Sequence, residues 1–137
     1  MLLRDKRIFV VEDNGANSSV MRMLLEWQGA KVTIERWGGD QTLQLLRDFA
    51  PVDVILLDLM LPNNITGYDV FDRIRTLPDF DDVPILAVSA MDASVAIPKA
   101  RGRGFAGFIA KPIDYDLFPR QIIDALAGKA VWSSYGM

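Results

Sequence analysis

Neither cysteine nor histidine occurs anywhere in the 137 residues. The first absence excludes a disulfide framework and a thiolate metal site. The second removes histidine as general base, zinc ligand and autophosphorylation site. No apolar run is long enough to span a membrane, and the short charged stretch 1–6 lacks the core of a signal peptide. Low-complexity linkers, internal repeats and a basic surplus are missing as well. The net charge of −3 argues against a broad basic surface for nucleic acid, and no DNA-binding module is expected after the last strand. These absences point to one cytoplasmic domain over 1–137, with its core over about 7–127, a tail over 128–137, and neither membrane nor nucleic acid as partner.

What the chain does have is apolar residues, 50% of the total, enough for a sheet covered on both faces. Strand and helix patterns alternate five times. Strands are predicted at 8–11, 31–35, 54–57, 85–88 and 105–110. Helices are predicted at 15–27, 38–49, 68–77, 96–103 and 114–127. Val20, Met23, Leu24 and Trp27 mark the inner face of the first helix, and Leu43, Leu46 and Phe49 that of the second. Asp114 is the expected cap of the last helix. Right-handed crossovers then give an α/β fold with a doubly wound, five-stranded parallel sheet of order 2-1-3-4-5 and five helices.

Four short pieces follow directly after apolar runs: Glu12-Asp13, Asp58, Ser89 and Lys111-Pro112. In a parallel sheet the carboxyl ends of the strands share one edge, so these pieces meet in one crevice. Carboxylates about 4 Å apart repel by roughly 4 kcal/mol at an effective dielectric near 20, so Glu12, Asp13 and Asp58 need a counter-charge. Mg²⁺, with Mn²⁺ able to substitute, suits them: Asp13 and Asp58 as direct ligands, Glu12 through water.

An acid pair, D-L-M-L-P, V-S-A and F-I-A-K-P in this order and phase resemble the receiver domain of two-component response regulators, from Arg7 to about Ala127. The resemblance implies a flavodoxin-like receiver fold and a Mg²⁺ shell completed by the backbone carbonyl of Met60. It implies a phosphorelay function, with Asp58 taking phosphate from a histidine kinase or histidine phosphotransfer protein while Lys111 and Ser89 hold the phosphoryl oxygens. Such a domain is a phosphoprotein and no enzyme beyond its own phosphorylation and dephosphorylation. Ser89 and Phe108 take the switch positions, Phe108 reading equally well as plain core. The downstream protein is expected on the face of the fourth helix, fifth strand and last helix. Met60 and Met91 flank the water approach to the phosphate, which implies slow self-dephosphorylation.

The chain departs from the family pattern at three places. Asn63-Asn64-Ile65-Thr66 is one residue longer than usual, so that loop should bulge. Pro98 falls within the fourth helix, which should therefore start late, near Ile97. Ser89 replaces the commoner threonine. Separately, Gly102 to Gly107 spells G-x-G-x-x-G, but it leads from helix into strand, so it reads as a left-handed cap and turn. The rival function, an aspartyl-phosphate hydrolase of the haloacid dehalogenase type, wants an aspartate where Met60 stands. Residues 131–137, with two aromatics, read as a disordered end or a docking segment, the first reading being preferred.

Overall fold

Apolar runs without alternation are stable only where helices cover both sides of a sheet. The computed structural model describes residues 1–133. Its elements are β1 (Arg7–Val11), α1 (Gly15–Trp27), β2 (Lys31–Glu35), α2 (Asp40–Phe49), β3 (Val54–Leu57), α3 (Gly67–Ile74), β4 (Ile85–Ser89), α4 (Ala93–Arg103), β5 (Gly107–Ala110), α5 (Phe118–Leu126) and β6 (Val131–Ser133). All six strands pair in parallel in the order β2-β1-β3-β4-β5-β6. The predicted fold is therefore present with one strand more. Phe9, Val11, Ile55, Leu57, Ala87 and Phe108 pack toward α2, α3 and α4. Ile8, Val10, Leu56, Val88 and Ile109 pack toward α1 and α5. The strict alternation between the two clusters along each strand is the pleat acting on a continuous apolar run.

Several boundaries and faces differ from expectation. In α1 the buried residues are Ser18, Met21, Leu24 and Leu25, whereas Met23 is 38% and Trp27 68% exposed. A seam at 18, 21 and 25 is possible because Ser18 donates its hydroxyl to the Gly15 carbonyl, which lets a small polar side chain face the sheet. In α2 the inner face is Thr42 and Leu46, with Leu43 and Phe49 half-buried beside them. Thr42 is drawn in by Glu35, a buried carboxylate that accepts hydrogen bonds from the Thr42 hydroxyl and from the Trp37 and Gly38 N–H groups, each of the latter at 2.7 Å.

Helix α4 starts at Ala93, earlier than predicted, and carries Pro98 inside it. The Asp92 carboxylate accepts from both the N–H and the hydroxyl of Ser94, and buried Ala96 and Ala100 hold both sides of the proline against the core. Cap and packing together outweigh the missing backbone bond. Gly104 closes α4 with φ 103°, the expected left-handed cap. Helix α3 is shorter than predicted: a Thr66/Asp69 capping box starts it, and it ends at Ile74, before Pro78. Asp114 caps a separate turn, accepting from the Asp116 and Leu117 N–H groups, and α5 begins only at Phe118.

The clearest correction concerns the tail. Val131 to Ser133 form β6 along the edge of β5, with Val131 buried among the residues of α5. The remainder of that tail, 134–137, lies outside the described residues. Strand β5 is thus an interior strand. Gly107 makes room for β6, since a Cβ there would stand 2.5 Å from the Val131 carbonyl oxygen. Backbone cannot yield to such a contact as a side-chain tip can. Gly107→Ala should therefore destabilise the protein by about 1–3 kcal/mol in urea unfolding, and most of that cost should vanish in a chain shortened to residue 127. An equal cost in both backgrounds would mean that β6 is not what Gly107 accommodates.

Candidate phosphoacceptor and cation site

Each site residue is delivered by the end of a strand. Glu12 and Asp13 follow β1, Asp58 follows β3, Ser89 closes β4 and Lys111 follows β5. The sheet register fixes their neighbourhood, because β1 lies between β2 and β3 and its Val11 pairs with Leu57, one residue before Asp58. Glu12 is 1% and Asp58 7% exposed, while Asp13 sits at the rim. The Asp58 N–H donates to the Val11 carbonyl at 3.0 Å, so the backbone of β1 itself sets the nucleophile candidate in place.

The Lys111 ammonium reaches across β4 to both buried acids. It donates to Asp58 Oδ2 at 2.8 Å and to Glu12 Oε1. The other Asp58 oxygen accepts the Met60 N–H at 3.0 Å, and Glu12 Oε2 accepts the Asn14 N–H at 3.3 Å. Lys111-Pro112 is a cis peptide bond. Ser89 is fully buried, and its Oγ accepts the Met91 N–H at 3.3 Å. Among the described residues its hydroxyl makes no hydrogen bond to Asp58, Glu12 or Lys111, although its carbonyl accepts the Lys111 N–H at 3.0 Å. Phe108 is also fully buried, packed in the cluster shared with α3 and α4.

One ammonium faces three carboxylates. Oxygens of Glu12, Asp13 and Asp58 lie within 4.8 Å of one another. Burial pushes the Glu12 carboxyl up to about 7; the Asp58 charge adds to this, while the Lys111 hydrogen bond and charge oppose it. Burial pulls the Lys111 ammonium down, but its bonds to Asp58 and Glu12, and their charge, more than restore it and hold its pKa above the usual lysine value. The pocket remains short of positive charge, and its donors are hard oxygens. This donor set fits a small divalent cation.

The loop after Asp58 is a tight hairpin rather than an open bulge. Gly67 N–H donates to the Leu59 carbonyl at 2.9 Å and Leu61 N–H to the Ile65 carbonyl at 3.1 Å. Asn63 and Asn64, with φ 61° and 60°, form its turn, and the Ile65 N–H closes it on the Pro62 carbonyl at 3.2 Å. Two consecutive left-handed residues are the requirement of a type I′ turn, and asparagine tolerates that conformation better than most. The extra residue is absorbed there. Met60 and Thr66 face each other as a pair without mutual hydrogen bonds, so the ladder does not consume the Met60 carbonyl. Gly67 has no alternative, since a Cβ would meet the Asp58 carbonyl oxygen at 2.4 Å. Glu12, Asp13, Asp58 and Lys111 meet as their positions after the strands predict, and Asn14 joins them unforeseen: its N–H serves Glu12 and its side chain caps α1. An asparagine directly after an acid pair and before a helix carried that signal.

Comparison with known proteins agrees with this geometry. The family model described as the response regulator receiver domain matches residues 8–123. The polar-differentiation response regulator DivK of Brucella anthropi is 32% identical over 113 residues, covering 82% of this chain and 89% of the relative. A putative response regulator from Chloroflexus aurantiacus superimposes with a TM-score of 0.80 at 25% identity, over 90% of this chain and 99% of that one. Chemotaxis response regulator CheY4 of Vibrio cholerae shares the fold, with a TM-score of 0.79 at 19% identity over 88% and 98% of the two chains.

The raised Glu12 pKa has a sign that can be tested. Between its ordinary value of 4.5 and about 7 the folded protein keeps a proton that the unfolded chain has released. Stability from this group is therefore complete below the ordinary value and is lost as pH rises through about 7. In EDTA, the thermal midpoint of the wild type should fall relative to that of Glu12→Gln as the pH is raised from about 5.5 to 7.5. Parallel curves for the two proteins would show that Glu12 carries no shifted proton.

Proposed function

The chain belongs to the response regulator receiver domain family, and from that premise we propose that Asp58 accepts a phosphoryl group from the phosphohistidine of a kinase or phosphotransfer protein. The observation that carries the reading is the grip on the Asp58 carboxylate: Lys111 on one oxygen, the Met60 N–H on the other, at the mouth of an acidic crevice. A carboxylate held at both oxygens is oriented before the donor arrives, which lowers the entropic cost of attack. Its oxygen forms the new P–O bond while the P–N bond of the donor breaks, its electron pair leaving with the imidazole.

Bound Mg²⁺ supplies Lewis-acid stabilisation of the transferring phosphoryl oxygens. Asp13 and Asp58 would hold the cation directly, the Met60 carbonyl would join them, and Glu12 would act through water. Lys111 stays within reach of the same oxygens and balances the added charge. Ser89 closes the neighbouring strand β4, and its hydroxyl would donate to an oxygen of the attached phosphoryl group. The haloacid dehalogenase reading draws no support, because the position of its general acid is Met60.

Phosphorylation adds about −1.5 to −2 charges to a pocket already short of cations, so its effect is to redistribute Lys111 and Ser89 and bias the surface beyond them. The downstream protein belongs on the α4–β5–α5 side. Strand β6 now covers the edge of β5 there, so the partner meets α4, β6 and α5. No helix among the described residues is long and apolar enough to cross a membrane. A cytoplasmic site of action is our expectation.

Incubation with a small phosphodonor and Mg²⁺, read by intact mass and peptide mapping, should give one stable phosphoryl group on the wild type. Asp58→Asn should give none while keeping its fold. Modification of the variant at another residue would overturn the assignment, and rapid turnover of the donor without a stable adduct would revive the hydrolase. Mg²⁺ should also raise the thermal midpoint of the unphosphorylated protein, because it relieves repulsion in the native site only. Asp13→Ala should remove most of that shift; an unchanged shift would place the cation elsewhere.

A further inference from the structure

A groove of about 520 Å³ runs between the 60–66 hairpin and α4. Met60, Ile65 and Met91 give it apolar walls, and Tyr68, Lys99 and Arg103 give it a polar side. Tyr68 is 5% exposed, its ring edge-on to Phe105 with centroids 5.9 Å apart. Lys99 Nζ stands 4.4 Å from the centre of that ring, and the Arg103 guanidinium carbon 5.1 Å from it.

Two of these groups are unfinished. The Tyr68 hydroxyl is sealed from solvent and has no hydrogen-bond partner. A buried hydroxyl left alone costs about 1–3 kcal/mol, so its retention calls for a partner that arrives later. Lys99 makes no ion pair among the described residues, whereas Arg103 is partly answered by Asp72 at 2.7 Å. Asp69 also lines the groove, but its carboxylate accepts the Thr66 N–H at 3.1 Å in the cap of α3, so among the described residues Lys99 is the groove cation left without a carboxylate, a complement to one incoming negative group.

We propose that this groove is the docking site for an acidic segment of a partner protein. One carboxylate of that segment would pair with Lys99 and accept the Tyr68 hydroxyl, and a neighbouring apolar side chain would rest on Met60 and Met91. The apolar walls argue for a carboxylate on a peptide rather than for a free inorganic anion, which would leave them unmatched. Unbranched methionine and lysine side chains can change rotamer to uncover the hydroxyl, and methionine surfaces adapt to peptide side chains. The hairpin that forms one wall exists because of the Asn63-Asn64 turn. The site does not depend on phosphotransfer at Asp58.

The test uses the full chain with ¹³C-methyl methionine, followed by NMR. Three probes are titrated separately: a blocked peptide of alternating glutamate and leucine, its glutamine–leucine counterpart, and sodium acetate. The acidic peptide should shift the Met60 and Met91 methyls saturably, binding about tenfold or more tighter than either control. Lys99→Gln and Tyr68→Phe should each weaken it by about fivefold or more. Tyr68→Phe should at the same time leave the thermal midpoint of the free protein unchanged or higher, since it deletes a group that has no partner. Equal binding of the neutral peptide, binding of acetate alone, absence of saturation, or variants that bind as the wild type does would each overturn the proposal. A Tyr68→Phe protein less stable than the wild type would do so too, because its hydroxyl would then be satisfied already. None of these variants alters Asp58, so failure here leaves the phosphoacceptor reading standing.

Discussion

Everything at the carboxyl edge of this sheet depends on one ammonium group shared by two buried carboxylates. Lys111 touches Glu12 and Asp58, each almost wholly removed from water. An isolated carboxylate buried to that degree would neutralise or unfold its surroundings. The contact is therefore what lets two carboxylates lie buried side by side at this sheet edge. It also joins the ends of β1, β3 and β5, three strands whose order in the sheet brings residues separated by up to 99 positions within hydrogen-bond range.

The same contact explains why the site is incomplete in charge and so able to respond. One ammonium cannot balance Glu12, Asp13 and Asp58. A proton on Glu12 and a divalent cation are competing ways to supply the remainder, and a phosphoryl group changes the sum again. Lys111 in turn is tied through its own N–H to the Ser89 carbonyl at 3.0 Å, so the ends of β4 and β5 are joined by backbone at the site.

Five of the six strands, their order and the convergence of the acids and lysine were legible because all rest on strong local signals: unbroken apolar runs, and chemistry-bearing residues directly after them. The misreadings have physical causes. The turned face of α1 followed from Ser18, whose hydroxyl bonds within its own helix and so enters the core at little cost. Pro98 was weighed by its missing N–H alone, whereas the double cap at Asp92 and two buried alanines decide where α4 begins. The 60–66 hairpin needed recognition that two successive asparagines supply two left-handed residues. Strand β6 is only three residues long and depends on a cleft opened by Gly107 on another strand, a tertiary feature without local periodicity.

The central claim is that a proton on Glu12 and a bound divalent cation are alternative answers to the same charge deficit. Calorimetric titration of the unphosphorylated protein with Mg²⁺ near pH 6.5, in buffers of different ionisation enthalpy, tests it directly. The account predicts release of a substantial fraction of a proton per Mg²⁺ bound, shrinking as pH rises beyond about 7 and absent in Glu12→Gln. Binding without proton release at every pH, or equal release from the variant, would contradict it.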